Sequence, residues 1–256
     1  GPLKLPRGIR QLRPRGGRLS YSLGALCAGL FRDVNVVFCG HLFMAPLAAL
    51  VARLNGAKLI IQLHGFEAWQ RPSRLQRVAV EAADLVLCVS RYTRACVLGW
   101  ASIAPERAVV LPNTVDDSFV PGATGLRADW GLEGKKVLLT VGRLNAGERY
   151  KGQDRVMRCI PGLVANGRDV VYVVAGQGDD TARLQALAEE LRIADRVRFV
   201  GSLEREKLLD VYRMADLFVM PSTGEGFGIA FLEAMARDRK KHTSELQSLA
   251  YLVCRL

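Results

Sequence analysis

Eight short apolar runs, separated by segments of helical period, constrain the fold more than any other feature of this chain. They are VNVVFCG (34–40), KLIIQLHG (58–65), DLVLCVS (84–90), AVVLPN (108–113), KVLLTVG (136–142), VVYVVAG (170–176), VRFVG (197–201) and DLFVMP (216–221). They lack in/out alternation, which is the pattern of parallel strands buried on both faces. Segments such as PLAALVARLN, DRVMRCIPGLVANG, TARLQALAEELRIA and EREKLLDVYRMA carry helical period between them. Strand, helix, strand, repeated, predicts a doubly wound α/β fold. The order breaks at NTVDDSFVPGATGLRADWGLEGKK, rich in Gly, Asp and Pro, which predicts an interdomain connection. The expected division is a first α/β domain over 1–121, a linker over 122–132 and a second domain over 133–236.

Charge is unevenly placed. Of the net +11, the first twenty residues carry Lys4, Arg7, Arg10, Arg13, Arg15 and Arg18 with no acid. A basic end suits a solvated face, anionic lipid or nucleic acid. No aromatics interleave with these arginines, so nucleic acid is the weakest of the three and is not expected as a partner. A peripheral contact with anionic membrane stays open. Six cysteines show no CxxC and no regular spacing, and the three histidines are scattered. Free thiols in a reducing cytoplasm are expected rather than disulfides or a zinc site. No apolar run reaches the roughly 18 residues of a membrane span.

In doubly wound sheets ligands gather beyond the carboxyl ends of the strands. The residues there are His64-Gly65, Asn113, Arg143, the GQGDD turn (176–180) and Glu225. In TVGRLNAGERYKG, Arg143 follows a strand and Lys151 precedes a helix. A guanidinium and an ammonium beside a helix N-terminus make a diphosphate clamp; Arg149 competes for either role. PSTGEGFGIAFLEAMA places Glu225 in a glycine-rich loop and Glu233 on the second turn of the helix. Each carboxylate offers two acceptors for a vicinal diol. Gly226 and Gly228, around Phe227, let the backbone approach a ligand closely.

PSTGEGFGIAFLEAMA resembles the E-x7-E signature of family 4 retaining glycosyltransferases of the GT-B type, and VGRLNAGERYKG resembles their phosphate-binding segment. DLVLCVSRYTR, VVLPNTVD and VVAGQGDDTARLQALA follow in the family's order, so the likeness runs from about Val34 to Ala236. It implies two Rossmann-like domains facing a cleft, the first on the acceptor side and the second on the donor side. Glu225, with Gly226, Phe227 and Gly228, would hold the donor sugar, and Glu233 the ribose. Arg143 and Lys151 would neutralise the departing diphosphate, and His64 would lie beside the reacting sugar, giving His64 and Glu225 the catalytic roles. His41 is a further candidate for acceptor contact. The implied partners are a nucleotide sugar as co-substrate and a glycan or lipid-linked acceptor of bacterial envelope or polysaccharide synthesis. The implied location is the cytoplasm, at the inner face of the cell membrane. No DxD occurs in the sequence, so metal independence is expected, with no cofactor.

The pattern departs at both ends. The first strand and its glycine-rich loop do not precede Val34, and the family's continuation after Ala236 is replaced by RDRKKHTSELQSLAYLVCRL, within which HTSELQS resembles translated sequencing-adapter DNA. Residues 237–256 are therefore expected to be a non-native tail, both domains incomplete, the edge of the 216–221 strand open, and the chain an inactive fragment. Two other functions are open: a nucleotide-sugar 2-epimerase, and a non-catalytic module that binds nucleotide sugar or docks at the membrane. A nicotinamide-binding protein is disfavoured, since GQGDDT lacks a third glycine and carries two acids where a pyrophosphate would sit.

Overall fold

A computed structural model describes residues 7–9, 16–30 and 33–237, together with the backbone of 252–255; for Arg18 and Arg237 it likewise describes backbone alone. The chain divides into two compact units, Gly1–Pro112 and Asn113–Leu256.

The first unit runs α1 (Arg18–Leu30), β1 (Val36–Cys39), α2 (Ala45–Asn55), β2 (Lys58–Leu63), α3 (Phe66–Trp69), α4 (Arg74–Glu81), β3 (Leu85–Cys88), α5 (Arg91–Trp100) and β4 (Ala108–Val110). Its four strands pair in sequence order, all parallel. Parallel neighbours need a crossover, and the helices between them are set by local signals. Pro46 opens α2 and Gly56, at φ 61°, closes it. Ser73 and Gln76 form a capping box on α4, and the Ser90 hydroxyl caps α5. Leu59, Ile61, Leu63, Val86 and Cys88 form the centre of the core.

The second unit holds α6 (Leu126–Asp129), β5 (Lys136–Val141), α7 (Gln153–Ala165), β6 (Val170–Ala175), α8 (Thr181–Glu190), β7 (Val197–Gly201), α9 (Arg205–Met214), β8 (Leu217–Met220), α10 (Ile229–Arg237) and β9 (Leu252–Arg255). Strand order is β7-β6-β5-β8-β9. All eight apolar runs are strands, and β5 to β8 are mutually parallel. The six residues of β6 are all buried, as expected of a strand covered on both faces. Within 122–132, Leu126 and Trp130 pack on the core of this unit, and Leu132 is fully buried in it.

One expectation is corrected. The edge of β8 is not open, because the backbone of β9 runs antiparallel along Leu217–Met220. The rest of the 237–256 tail, apart from the Arg237 backbone, lies outside the described residues. Among the described residues no helix is long and apolar enough to cross a membrane, and Cys27, Cys39, Cys88, Cys96 and Cys159 are free.

The two sheets share a device that the sequence repeats. Asp84 and Asp216 each precede an L-x-x-x strand, and each carboxylate accepts from the amide of the second residue of the neighbouring strand. Asp84 takes Leu59 N at 2.9 Å and Asp216 takes Val137 N at 2.8 Å. Each also pairs with a cation, Lys58 and Arg127 respectively. The aspartate thus gives a backbone amide near the strand start a hydrogen-bond partner.

Candidate active site

The chain builds β5, β6 and β7 outward in one direction, then returns to the other side of β5 with β8. Such a reversal is a topological switch point, and the loops leaving the two central strands diverge there to form a crevice. The loop after β5 carries Arg143 to Gly152; the loop after β8 carries Pro221 to Gly228. Topology alone therefore brings the cationic segment and the Glu225 loop side by side.

Backbone contacts fix their spacing. Thr223 N donates to Tyr150 O at 2.9 Å. Gly152, at φ 78°, packs so closely on the end of β8 that a Cβ there would lie 2.8 Å from Pro221 O. On the other side, Leu144 N donates to Gln177 O and Asp180 N to Leu144 O, at 3.1 and 2.8 Å. The loops after β5, β6 and β8 are stitched together by main-chain bonds.

Within this frame the side chains converge. Lys151 Nζ lies 2.8 Å from Glu148 Oε2, and Arg143 Nη2 pairs with Glu148 Oε1. Glu148 and Lys151 are mostly buried, 15% and 11% exposed, whereas Arg143 is 72% exposed. Glu225 is half-buried, and its Oε1 is buried with no hydrogen-bond partner. Burial raises its carboxyl pKa; the Lys151 charge and the Ser222 hydroxyl oppose this, and the Glu148 charge adds to it. The same charges act on Tyr150, whose phenol is pushed up by burial and then by Glu148 and Glu225. Arg143, Glu148, Tyr150, Lys151 and Glu225 form one electrostatic cluster.

Arg149, the competing cation, is held elsewhere. Its Nε and Nη2 reach Asp180 Oδ1 at 2.9 and 2.8 Å, and Arg183 completes the pair on that aspartate. Asp179 accepts from Ala146 N at 2.7 Å. The acids of GQGDD thus tie the loop after β5 in place. Its two glycines serve close approach, since a Cβ on Gly176 would lie 1.9 Å from Gly142 O and one on Gly178 2.3 Å from Leu144 O.

Glu233 faces a different neighbour. Its Oε2 accepts from the Tyr212 hydroxyl on α9 at 2.7 Å. Its carboxyl is raised by burial, with Tyr212 and the Arg205 charge opposing. It is therefore not joined to the Arg143–Lys151–Glu225 cluster by any of these contacts. Gly226 and Phe227 are half-buried and Gly228 is buried. Gly228, at φ 79°, starts α10 and packs on the Phe231 ring.

In the first unit His64 follows β2, with its Nε2 donating to Gly40 O at 2.8 Å and its amide to Glu67 Oε1 at 2.5 Å. The carbonyl can only accept, so Nε2 carries the proton. His41, after β1, caps the following turn by accepting from Phe43 N, and its ring centroid lies 6.5 Å from that of His64. Glu148 and Tyr150 escaped the sequence reading; the i,i+3 spacing of Glu148 to Lys151 was the available signal.

A raised Glu225 pKa has a defined effect on stability. Folding favours its protonated form, so the stabilising contribution is full below the unfolded carboxyl pKa and is lost as pH rises through the folded one. Glu225→Gln should therefore raise the melting temperature at pH 7, with the difference vanishing in acid. Equal melting temperatures across that range would refute the burial assignment.

Two parallel α/β sheets in this order are the architecture of the GT-B glycosyltransferases, and solved structures match it. Anabaena HepE in complex with UDP and glucose superposes with a TM-score of 0.72 at 20% identity, over 85% of this chain and 60% of that one. Sucrose-phosphate synthase from Thermosynechococcus elongatus does so with 0.69 at 22%, over 85% and 57%. Residues 3–119 match the model described as Glycosyltransferase Family 4, and residues 124–238 the model described as Glycosyl transferases group 1. The chain belongs to the family 4-like glycosyltransferases. Among curated relatives, the GDP-mannose-dependent alpha-(1-6)-phosphatidylinositol monomannoside mannosyltransferase of Mycolicibacterium smegmatis is 34% identical over 223 residues, 80% of this chain and 56% of that protein. D-inositol 3-phosphate glycosyltransferase 1 of Catenulispora acidiphila is 32% identical over 248 residues, 86% and 59%. The chain thus spans a little over half the length of these relatives.

Proposed function

We propose that this sequence carries part of an enzyme that moves a sugar from a nucleoside-diphosphate donor to an acceptor hydroxyl, with retention at the anomeric carbon. The observation that carries this is the convergence of Arg143, Lys151 and Glu225 at the switch point of the second sheet. A leaving diphosphate gains negative charge as the glycosidic bond breaks, and fixed cations aimed at it lower the barrier. Lys151 is suited to this because its ammonium is mostly buried, where a charge acts more strongly than in water. Glu225 lies at the adjoining loop with an unused acceptor oxygen, which sugar hydroxyls would satisfy. Gly226, Phe227 and Gly228, in the same loop, would line the approach of the sugar. Glu233 would receive the ribose diol through the oxygen not bonded to Tyr212.

His64 would stand beside the reacting sugar from the first unit, and His41 beside the acceptor. The acceptor reading follows the relatives, which are named for transfer to phosphatidylinositol mannoside and inositol phosphate, and points to lipid or glycan hydroxyls. A guanosine or uridine diphosphate sugar is the donor class to test first. No resident metal or cofactor enters this scheme, because Arg143 and Lys151 supply the positive charge. Contact of the basic N-terminal stretch with anionic membrane, at the inner face, belongs to the same reading.

Calorimetric titration of the 256-residue chain with UDP and GDP should give saturable binding for at least one of them, without turnover of the corresponding sugar donors. Absence of binding for every nucleoside diphosphate would reject the proposal, and sugar transfer by this chain would reject its assignment as an inactive fragment.

A further inference from the structure

We infer that Glu148 is an internal stand-in for the donor's diphosphate: its carboxylate spans Arg143 and Lys151, competes with an incoming anion for both, and sets how tightly that anion is held. This rests on the diphosphate reading above and adds a residue to it. Among the ion pairs of the described residues, both cations have Glu148 as their partner, one on each carboxylate oxygen. That is the bridging arrangement that two phosphate oxygens would take. Counting Glu225, the cluster already balances two cations with two carboxylates. A diphosphate entering beside a fixed Glu148 would meet a like charge in a mostly buried setting, where repulsion is poorly screened. Glu148 therefore has to swing away as the anion takes its place.

The backbone allows this movement. Glu148 itself departs from helical geometry, at φ −117° and ψ 22°, between the turns of the 146–151 segment. It is preceded by Gly147, around which no atom crowds. Exchange of one anionic partner for another keeps Lys151 paired throughout, so the buried ammonium is never left alone. Glu148 is on this account a positioning residue, acting through Arg143 and Lys151.

The test uses inorganic pyrophosphate, the whole chain and Glu148→Gln, with Glu189→Gln on the exposed face of α8 as a control for net charge. Glu148→Gln should lower the melting temperature without pyrophosphate, bind pyrophosphate about tenfold tighter than the unaltered chain, and gain more melting temperature from it. Glu189→Gln should do none of these. A merely structural Glu148 would lower the melting temperature equally with and without pyrophosphate and leave affinity unchanged or weaker, which would overturn the inference. Should Glu148→Gln not hold its fold alone, refolding on pyrophosphate is the expected result and failure to refold overturns the inference. If the unaltered chain binds pyrophosphate and Glu148→Gln binds it no tighter, only the role of Glu148 falls. If neither binds, the diphosphate reading falls with it.

Discussion

Lys151→Ala is expected to weaken nucleoside-diphosphate binding by about tenfold or more, since charge-assisted hydrogen bonds contribute roughly 1.5–3 kcal/mol each. Arg143→Ala should cost less. Both cations pair with Glu148, yet Lys151 is 11% exposed and Arg143 72%. A charge at the surface is screened by water and salt, whereas one in a mostly buried setting is screened much less. Titration of the two variants against the same nucleoside diphosphate, at low and at physiological salt, checks this. The Arg143 share should shrink with salt and the Lys151 share should persist. Equal losses, or a larger loss at Arg143, would contradict the placement of Lys151 as the main anion partner.

Gly176→Ala is expected to be the most destabilising single substitution among those named here. The added Cβ would lie 1.9 Å from Gly142 O, a backbone atom with no freedom to retreat, and φ is 144°. Steric overlap and backbone strain act together there, so a loss of more than about 4 kcal/mol is expected. At roughly 2–4 °C per kcal/mol for a chain of this size, the melting temperature should fall by about 8–16 °C. Thermal denaturation followed by circular dichroism checks it. A fall of only a degree or two would show that the loops after β5 and β6 are not stitched as described. The same substitution separates two readings of GQGDD, since a glycine needed for backbone packing fails in folding before it fails in binding.

The fold was legible because parallel strands buried on both faces leave unbroken apolar runs, and each of the eight became a strand. The switch point was not legible. Strand order is a property of the sheet, and nothing in DLFVMP says that it pairs beside KVLLTVG rather than beside VRFVG. Arg143, Lys151 and Glu225 could be singled out by residue type and by position after a strand, but their adjacency needed that order. Glu148 was passed over because a glutamate three residues before a lysine is common on any helix surface; only burial distinguishes this pair. Glu233 shows the converse. Its spacing from Glu225 drew attention to it, while its partner Tyr212, 21 residues earlier on α9, carries no signal along the chain. The open edge expected at β8 failed for a related reason, since the strand that covers it comes from a segment that continues none of the earlier patterns.

Phosphate oxygens lodged between two particular side chains are the physical core of the proposal, and a crystal structure of the chain with the nucleoside diphosphate that binds it is the most direct test. The expected result is a diphosphate bridging Lys151 Nζ and the Arg143 guanidinium, with Glu148 turned out and Glu225 facing the end where the sugar would attach. A nucleotide bound on another surface of the protein, with the Arg143–Glu148–Lys151 bridge intact, would contradict it.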